Sequence, residues 1–135
     1  MKPLRVFLDA NILFSASLGR GVVPTLTEAL RLRHQTFTAQ LAVEEAKRNL
    51  ARKSPKALAG LDAALVQVVI VSEFGLPHGL DLPANDGQLL GIAIAQGCTH
   101  FLSGDKRHFG AHYGKNIQGV IVLSPTMLFA HPDLL

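Results

Sequence analysis

The hydrophobic and polar positions of the chain follow two periods, one typical of buried strands and one typical of amphipathic helices. Residues 6–8 (Val-Phe-Leu) form a short apolar run that stops at Asp9, which indicates a strand buried on both faces. From about Val22 the apolar residues recur near helical spacing, and Pro24 suits the first turn of a helix. The beginning of the chain therefore predicts a buried strand and a helix.

Strand and helix patterns continue to alternate along the rest of the chain. In chain order we expect a strand over 35–38, a helix over 39–52 capped by Thr38, a helix over 57–65, a strand over 66–74, a loop over 75–86, a helix over 86–97, a strand over 99–103, a strand over 119–125 and a short helix from Ser124 to His131. This alternation predicts an α/β fold, with five mostly parallel strands and helices on both faces of the sheet. A length of 135 residues fits one domain, residues 1–135.

Four acidic residues are candidates for one site. Asp9 and Asp105 follow two of the predicted strands, Asp86 begins the helix between them, and Glu45 lies in the helix after the second strand. In parallel sheets, ligands bind outside the carboxyl ends of the strands, near a reversal in strand order. Carboxylates that share a site repel one another unless a cation lies between them, and Mg²⁺ or Mn²⁺ prefers oxygen ligands. The sequence therefore suggests a site for Mg²⁺ or Mn²⁺.

Each acid also has an ordinary structural explanation. Asp9 and Asp86 could cap helices, Asp105 could be a turn residue, and Glu45, like its neighbour Glu44, could lie on a solvated helix face. Only the joint placement of the acids favours a functional site.

The charge balance adds a second indication. The chain has 13 Lys and Arg against 10 Asp and Glu, a net charge of +3. If four acids belong to one metal site, six remain against the 13 cations, and the rest of the surface carries about +7. A basic surface around an acidic pocket suits a polyanion bound through metal ions.

The composition also indicates a compartment. The single cysteine excludes an internal disulfide, no apolar run is long enough for a membrane span, and the N-terminal residues reach an acid too soon for a secretory signal. We therefore expect a cytoplasmic protein without a membrane partner.

Four stretches resemble the PIN domain family, in the order that the family uses: "FLDANIL", "AVEEAKRNL", "PANDGQLLGIAIAQGCTHFLSGDKRHFG" and "VIVLSPTMLF". The resemblance spans residues 4–129, and its most specific part is residues 86–109. It implies a three-layer α/β/α sandwich around a central, mostly parallel sheet of about five strands. It also implies a metal-dependent ribonuclease, of which many small prokaryotic examples are toxins of VapC-like toxin–antitoxin pairs.

The family's functional residues match this chain by position. Asp9, Glu45, Asp86 and Asp105 resemble its four catalytic, metal-binding acids, and Asn11 and Ser103 resemble the polar residues that support them. Glu45 fits better than Glu44, although the doublet leaves this assignment open. Ala10 departs from the family, which more often has Thr at this position, but no carboxylate is lost.

The resemblance implies a mechanism and partners. One or two Mg²⁺ or Mn²⁺ ions would assist hydrolysis of an RNA phosphodiester, leaving a 5′-phosphate and a 3′-hydroxyl. Lys106, Arg107 and His108 would lie at the rim of the pocket, where Lys106 and Arg107 would contact the RNA backbone. An antitoxin protein and a second copy of the chain, forming a homodimer, are the further partners expected.

Other classes of protein remain for comparison. A haloacid-dehalogenase-type phosphatase needs an Asp where this chain has Asn11, and a receiver domain needs an Asp after its third strand, where this chain has only Glu73. A nuclease that acts on DNA stays open as an alternative. So does a catalytically weak PIN-like module that binds RNA or protein.

Overall fold

A six-stranded sheet forms the centre of the computed structural model, which describes residues 3–72 and 82–134. The strands are β1 (Arg5–Leu8), β2 (Gln35–Ala39), β3 (Val68–Val71), β4 (His100–Leu102), β5 (Asn116–Ile117) and β6 (Val120–Leu123). Their order in the sheet is β3-β2-β1-β4-β6-β5. All neighbouring pairs are parallel except β5 and β6.

The strand order reverses between β1 and β4. From β1 the chain moves outward to β2 and β3, then returns to β4 on the other side of β1. Phe7 in β1 lies opposite Phe37 in β2 and Phe101 in β4, which fixes the register at the centre of the sheet. The carboxyl ends of β1 and β4 therefore flank the topological switch point, where ligands bind in sheets of this kind.

Helices cover the sheet in two groups. The helices are α1 (Ala10–Ser17), α2 (Val22–Arg33), α3 (Gln40–Lys53), α4 (Leu58–Ala64), α5 (Ala84–Ala95), α6 (Lys106–Phe109) and α7 (Pro125–Phe129). α1 packs against α2, α3 and α4, whereas α5 packs on β2 and β4. Because parallel crossovers are right-handed, the connections before and after the reversal lie on opposite faces of the sheet. The result is the expected three-layer α/β/α arrangement.

The core lies around the two central strands. Residues 6–8 of β1 and all of β4 are buried. The rings of Phe7 and Phe101 stack at 5.4 Å, and Phe109 of α6 lies 4.9 Å from Phe101 between ring centroids. Burying each ring contributes roughly 1.5–3 kcal/mol. Polar residues just beyond these strands are thus attached to the most rigid part of the molecule.

Two further contacts tie distant segments together. His34 Nδ1 accepts a hydrogen bond from the Leu4 backbone N–H at 2.9 Å, and His34 Nε2 lies 2.8 Å from the carbonyl oxygen of Leu134. The ring therefore joins residues near both ends of the chain as a neutral imidazole that donates through Nε2. Gly60 of α4 approaches α1 so closely that an added Cβ would lie 2.1 Å from the carbonyl oxygen of Ser17.

The predicted fold class is confirmed, and the sheet has one strand more than expected. β5 is only two residues long, and a turn joins it to β6 through Gln118 (φ 51°) and Gly119 (φ 96°). Two successive positive φ values are typical of a type I′ hairpin turn. So short a strand leaves no alternation in the sequence from which to predict it.

Several element boundaries were wrong. The helix α1 was not predicted, and Thr38 lies in β2, where its hydroxyl donates to the Leu8 carbonyl oxygen at 2.8 Å instead of capping a helix. Ala39 is the N-cap of α3. The strand expected over 66–74 begins only at Val68, because Gln67 has a φ of 62°.

The other boundaries differ less. The helix α5 starts at Ala84, two residues earlier than predicted, and residues 73–81 of the predicted strand and loop lie outside the described residues. Ser124 caps α7 as expected, its Oγ accepting from the Met127 backbone N–H at 3.2 Å, but the helix ends at Phe129. None of the described helices has the length and apolar character needed to cross a membrane.

Candidate metal centre

Asp9 is a buried carboxylate at the carboxyl end of β1. It is 2% exposed and is the N-cap of α1, where its Oδ1 accepts from the Ala10 backbone N–H at 2.8 Å. Its Oδ2 accepts from Asn11 Nδ2 at 3.0 Å and from Ser103 Oγ at 2.7 Å. Asp9 therefore caps a helix, as one interpretation of the sequence suggested, and it uses only its Oδ1 for the cap.

Ser103 connects the ends of β1 and β4. This fully buried side chain donates to Asp9 and accepts from Asn11 Nδ2 at 3.2 Å and from the Asp105 backbone N–H at 3.1 Å. Its carbonyl oxygen accepts from the Tyr113 hydroxyl at 2.7 Å. The hydroxyl hydrogen bonds therefore fix the carboxylate of Asp9 and the backbone of Asp105 relative to each other.

Asn11 forms the second connection across the switch point. Its Oδ1 accepts from the Gly104 backbone N–H at 2.7 Å, while its Nδ2 contacts both Asp9 and Ser103. A Cβ at position 104 would lie 3.2 Å from Asn11 Oδ1, so a glycine here allows the two strand ends to come this close. Asn11 and Ser103, the two residues expected to support the acids, both donate hydrogen bonds to Asp9.

A second group of donors lies at the ends of α5 and α6. Asp86 is in the first turn of α5, and Asp105 is the N-cap of α6. His108 Nδ1 lies 2.6 Å from Asp105 Oδ2 and 3.2 Å from Asp86 Oδ2. One donor atom from each of the three residues lies within 4.8 Å of the others.

Glu45 faces the same place from α3. A cleft of about 420 Å³ is lined, among the described residues, by Glu45, Asp86, Asp105 and His108 together with residues 83–85. Glu44 points outward and is exposed, whereas Glu45 is half-buried. Asp9 does not line this cleft, but it is close enough for the charges of Asp86 and Glu45 to act on it. Three of the four acids proposed from the sequence therefore line one cleft, which Glu45 and not Glu44 faces, and Asp9 lies outside its lining.

The electrostatics of the group are those of crowded carboxylates. Burial raises the pKa of Asp9 from its usual 3.8 to about 7, the hydrogen bonds from Ser103 and Ala10 oppose this, and the charges of Asp86 and Glu45 add to it. The pKa of Asp86 is also raised, first by burial and then by Asp105 and Glu45, while His108 lowers it. Burial, followed by the charges of Asp105 and Asp9, raises the pKa of the Tyr113 hydroxyl.

This donor set fits a divalent cation. Carboxylate oxygens of Asp86 and Asp105 line the cleft. Burial, with a further contribution from the neighbouring acids, raises the pKa values of Asp9 and Asp86, and a cation in the cleft would offset that repulsion between charges. Oxygen-rich ligation of this kind suits Mg²⁺ or Mn²⁺.

The basic residues after Asp105 differ in their surroundings. Lys106 and Arg107 are exposed on α6, next to the cleft, whereas His108 turns back onto the two acids. The sequence placed His108 at the rim of the pocket with the two cations. His108 lies three residues after Asp105, and Asp105 is the N-cap of α6. This spacing is the sequence feature from which the contact between His108 and Asp105 could have been predicted.

Comparisons with known proteins give a fold. No family model matches the sequence, and neither does any curated protein sequence. Among solved structures, VapBC2 from Rickettsia felis, bound to a DNA fragment from its promoter, matches with a TM-score of 0.66 and 16% identity over 90% of this chain and 98% of that chain. VapC20 from Mycobacterium tuberculosis, a toxin that cleaves the sarcin–ricin loop, matches with a TM-score of 0.54 and 12% identity over 78% of this chain and 93% of that one.

The chain has a VapC-like PIN-domain fold. The resemblance found in its motifs is thereby confirmed at the level of fold, together with the α/β architecture and the mostly parallel sheet. What this chain shares with the VapC structures at such low identity is the arrangement of the backbone, so the chemistry of the acids rests on the geometry described above.

Proposed function

We propose that this chain is a Mg²⁺- or Mn²⁺-dependent endoribonuclease, acting as the toxin of a VapC-like toxin–antitoxin pair. The observation that supports the proposal is the cleft lined by Glu45, Asp86 and Asp105, whose charges act on the buried Asp9 at the end of β1 in a VapC-like fold. We propose further that residues 1–135 form one PIN domain and that the protein works in the cytoplasm.

The chain's own residues would divide the work among them. Asp86 and Asp105 offer carboxylate oxygens to one or two cations in the cleft, and Glu45 adds negative charge from the facing helix. Ser103 and Asn11 hold the Asp9 carboxylate in one orientation through their hydrogen bonds. When bound, the cation supplies an acidified water and positive charge opposite the scissile phosphate, and the expected products carry a 5′-phosphate and a 3′-hydroxyl.

Lys106 and Arg107 would bind the RNA backbone. Both are exposed on α6, directly after Asp105, so a phosphate in the cleft lies within reach of their side chains. Contacts of this kind provide affinity that is independent of sequence and decreases with salt. The prediction is weaker binding of all RNAs in Lys106→Ala and Arg107→Ala, with the cleavage positions unchanged.

Cleavage of labelled single-stranded RNA tests the proposal. We expect cleavage in Mn²⁺ or Mg²⁺, none in excess chelator, and a large loss of activity in Asp105→Asn. Glu45→Gln and Glu44→Gln form a matched pair, because the two residues are adjacent on α3 but only Glu45 lines the cleft. Glu45→Gln should lose activity and Glu44→Gln should retain it.

Three results would count against the proposal. Cleavage that continues in chelator or in Asp105→Asn would assign the activity to a contaminant or to another site. Metal-induced stabilisation without cleavage of any RNA would favour the binding-module alternative. Cleavage of DNA in place of RNA would move the chain to the other nuclease class.

The protein partners follow from the same proposal. One of the matching structures is a VapBC2 complex, which supports an antitoxin as a partner for this chain. Exposed apolar side chains on α2 and α7, two helices in contact, support a homodimer: Leu32 is 76% exposed and Phe129 is 43% exposed. Sedimentation of the wild type beside Leu32→Glu would test the dimer, which the variant should weaken.

A further inference from the structure

We propose that His108 is a nitrogen ligand of the metal centre and that its imidazole makes the centre prefer Mn²⁺ and later transition ions to Mg²⁺. This inference rests on the proposed metal-dependent function. It goes beyond the four acids, because it assigns a role to a residue of another chemical type and predicts which ion the centre takes.

The distances around His108 are those of atoms that could share one ion. Its Nδ1 lies 2.6 Å from Asp105 Oδ2 and 3.2 Å from Asp86 Oδ2, and the three donor atoms lie within 4.8 Å of one another. Around an octahedral ion with ligands at about 2.1 Å, neighbouring donors are about 3 Å apart and opposite donors about 4.2 Å apart. Small movements of the three side chains would therefore suffice for them to bind a common cation.

The position of His108 is fixed by the surrounding structure. Its backbone N–H donates to Asp105 Oδ1 at 3.2 Å, since Asp105 is the N-cap of α6 and His108 is three residues further on. The next residue, Phe109, is fully buried against Phe101, which anchors the short helix to the core. Asp105 is held in turn by the hydroxyl of Ser103. The imidazole is thus aimed at the acids by contacts on both sides of it.

The chemical consequence concerns metal selectivity. Carboxylate and water ligands suit Mg²⁺, which dehydrates reluctantly, whereas an imidazole nitrogen favours transition metals. With His108 as a ligand, the centre has a mixed nitrogen and oxygen donor set. Removing the imidazole should leave a site of carboxylates only, with less preference for Mn²⁺ over Mg²⁺.

Mn²⁺ binding to the purified full chain tests this role without an activity assay. Mn²⁺ affinity is measured by electron paramagnetic resonance, Mg²⁺ affinity by competition, and a ¹⁴N coupling to the bound Mn²⁺ by electron spin echo spectroscopy. The variants are His108→Ala and His108→Gln. His112→Ala is the matched control, because this nearby histidine contacts no acid of the cleft among the described residues.

We expect a ¹⁴N coupling in the wild type and in the control, and its loss in both His108 variants. Mn²⁺ affinity should fall by about tenfold or more, because removing a residue that only hydrogen-bonds to a metal ligand already lowers metal affinity by about tenfold. Mg²⁺ affinity should fall less, so that the ratio of the two affinities decreases.

Other outcomes would overturn the inference. Absence of ¹⁴N coupling in the wild type, or an unchanged affinity ratio in the variants, would make His108 a hydrogen-bonding partner only. Tighter Mn²⁺ binding in His108→Ala would make it a side chain that blocks the centre. Failure of the proposed nuclease activity is a separate result, seen as intact Mn²⁺ binding with ¹⁴N coupling but without RNA cleavage.

Discussion

Replacing Asp9 by asparagine should change how the stability of the metal-free protein depends on pH. The wild-type carboxyl is buried, and folding raises its pKa from 3.8 to about 7. A raised pKa means that the folded state binds the proton more tightly than the unfolded state. The stability associated with this group is therefore fully present below pH 3.8 and is lost as the pH rises to about 7. Asparagine has nearly the same shape and no such ionisation.

The magnitude follows from the size of the shift. Each pH unit between the two pKa values costs the wild type about 1.4 kcal/mol, so ionisation above pH 7 costs about 4 kcal/mol in total. Between pH 5 and pH 8 the loss is roughly 2–3 kcal/mol. Asp9→Asn also loses an acceptor for Asn11 Nδ2, at a cost of about 1 kcal/mol that does not depend on pH. The variant should therefore gain on the wild type as the pH rises, and should be the more stable of the two chains above about pH 4.5.

Urea unfolding in chelator at pH 5 and at pH 8 measures the effect. The difference in midpoint between the two chains should move by on the order of 1–2 M urea between the two pH values. Asp62→Asn is the matched control, because it removes an exposed carboxylate on α4. A constant difference for Asp9→Asn would refute the reasoning, since it would mean that folding does not perturb the Asp9 carboxyl.

Three further substitutions have defined consequences for thermal or urea unfolding. Ser103→Ala should lower the free energy of unfolding by about 2–3 kcal/mol, because it leaves several buried polar groups without a hydrogen-bond partner. Ser17→Ala loses a single hydrogen bond to a helix carbonyl and should lower it by about 1 kcal/mol. Equal losses in the two variants would contradict this reasoning. His34→Ala should lower the free energy of unfolding by roughly 1–3 kcal/mol, because it removes the hydrogen bonds to the backbones of Leu4 and Leu134. An unchanged unfolding midpoint would mean that these two contacts do not stabilise the fold. Gly60→Ala should destabilise the fold by about 1–3 kcal/mol, because the added Cβ overlaps with α1. Gly87→Ala, where the added Cβ meets open space on α5, should stabilise the fold by up to about 1 kcal/mol. A Gly60→Ala variant more stable than Gly87→Ala would be incompatible with this packing.

Much of the fold could be predicted because its causes are local. The buried strands at the centre of the sheet are short apolar runs, and each is followed by a polar residue where the chain leaves the core. The helix α1 was missed although three of its buried residues, Ala10, Leu13 and Ser17, have helical spacing. The hairpin strand β5 is too short for any periodic signal, because it depends on pairing with β6.

The candidate site residues could likewise be predicted only where their positions depend on the neighbouring sequence. Asp9 and Asp105 could be identified because each follows a buried strand, which is a property of the neighbouring sequence. Glu44 and Glu45 could not be separated in this way, since both lie on one helix and only the packing of α3 decides which faces the cleft. The contact of His108 with Asp86 could not be predicted from local sequence patterns either, because Asp86 lies 22 positions earlier in the chain.

The sequence by itself determined the kinds of elements, the presence of acids at strand ends and the resemblance to a PIN domain, because these depend on residue type and on spacing within an element. Only the tertiary structure decided that β1 and β4 are neighbours at the reversal of strand order, and therefore that Asp9, Ser103 and Asp105 share one hydrogen-bonded group. The same tertiary packing buries Asp9, and this burial raises the pKa of its carboxyl although the hydrogen bond from Ser103 opposes the rise. The physical reason is that desolvation and repulsion between charges act across space, over distances that the order of residues along the chain does not specify.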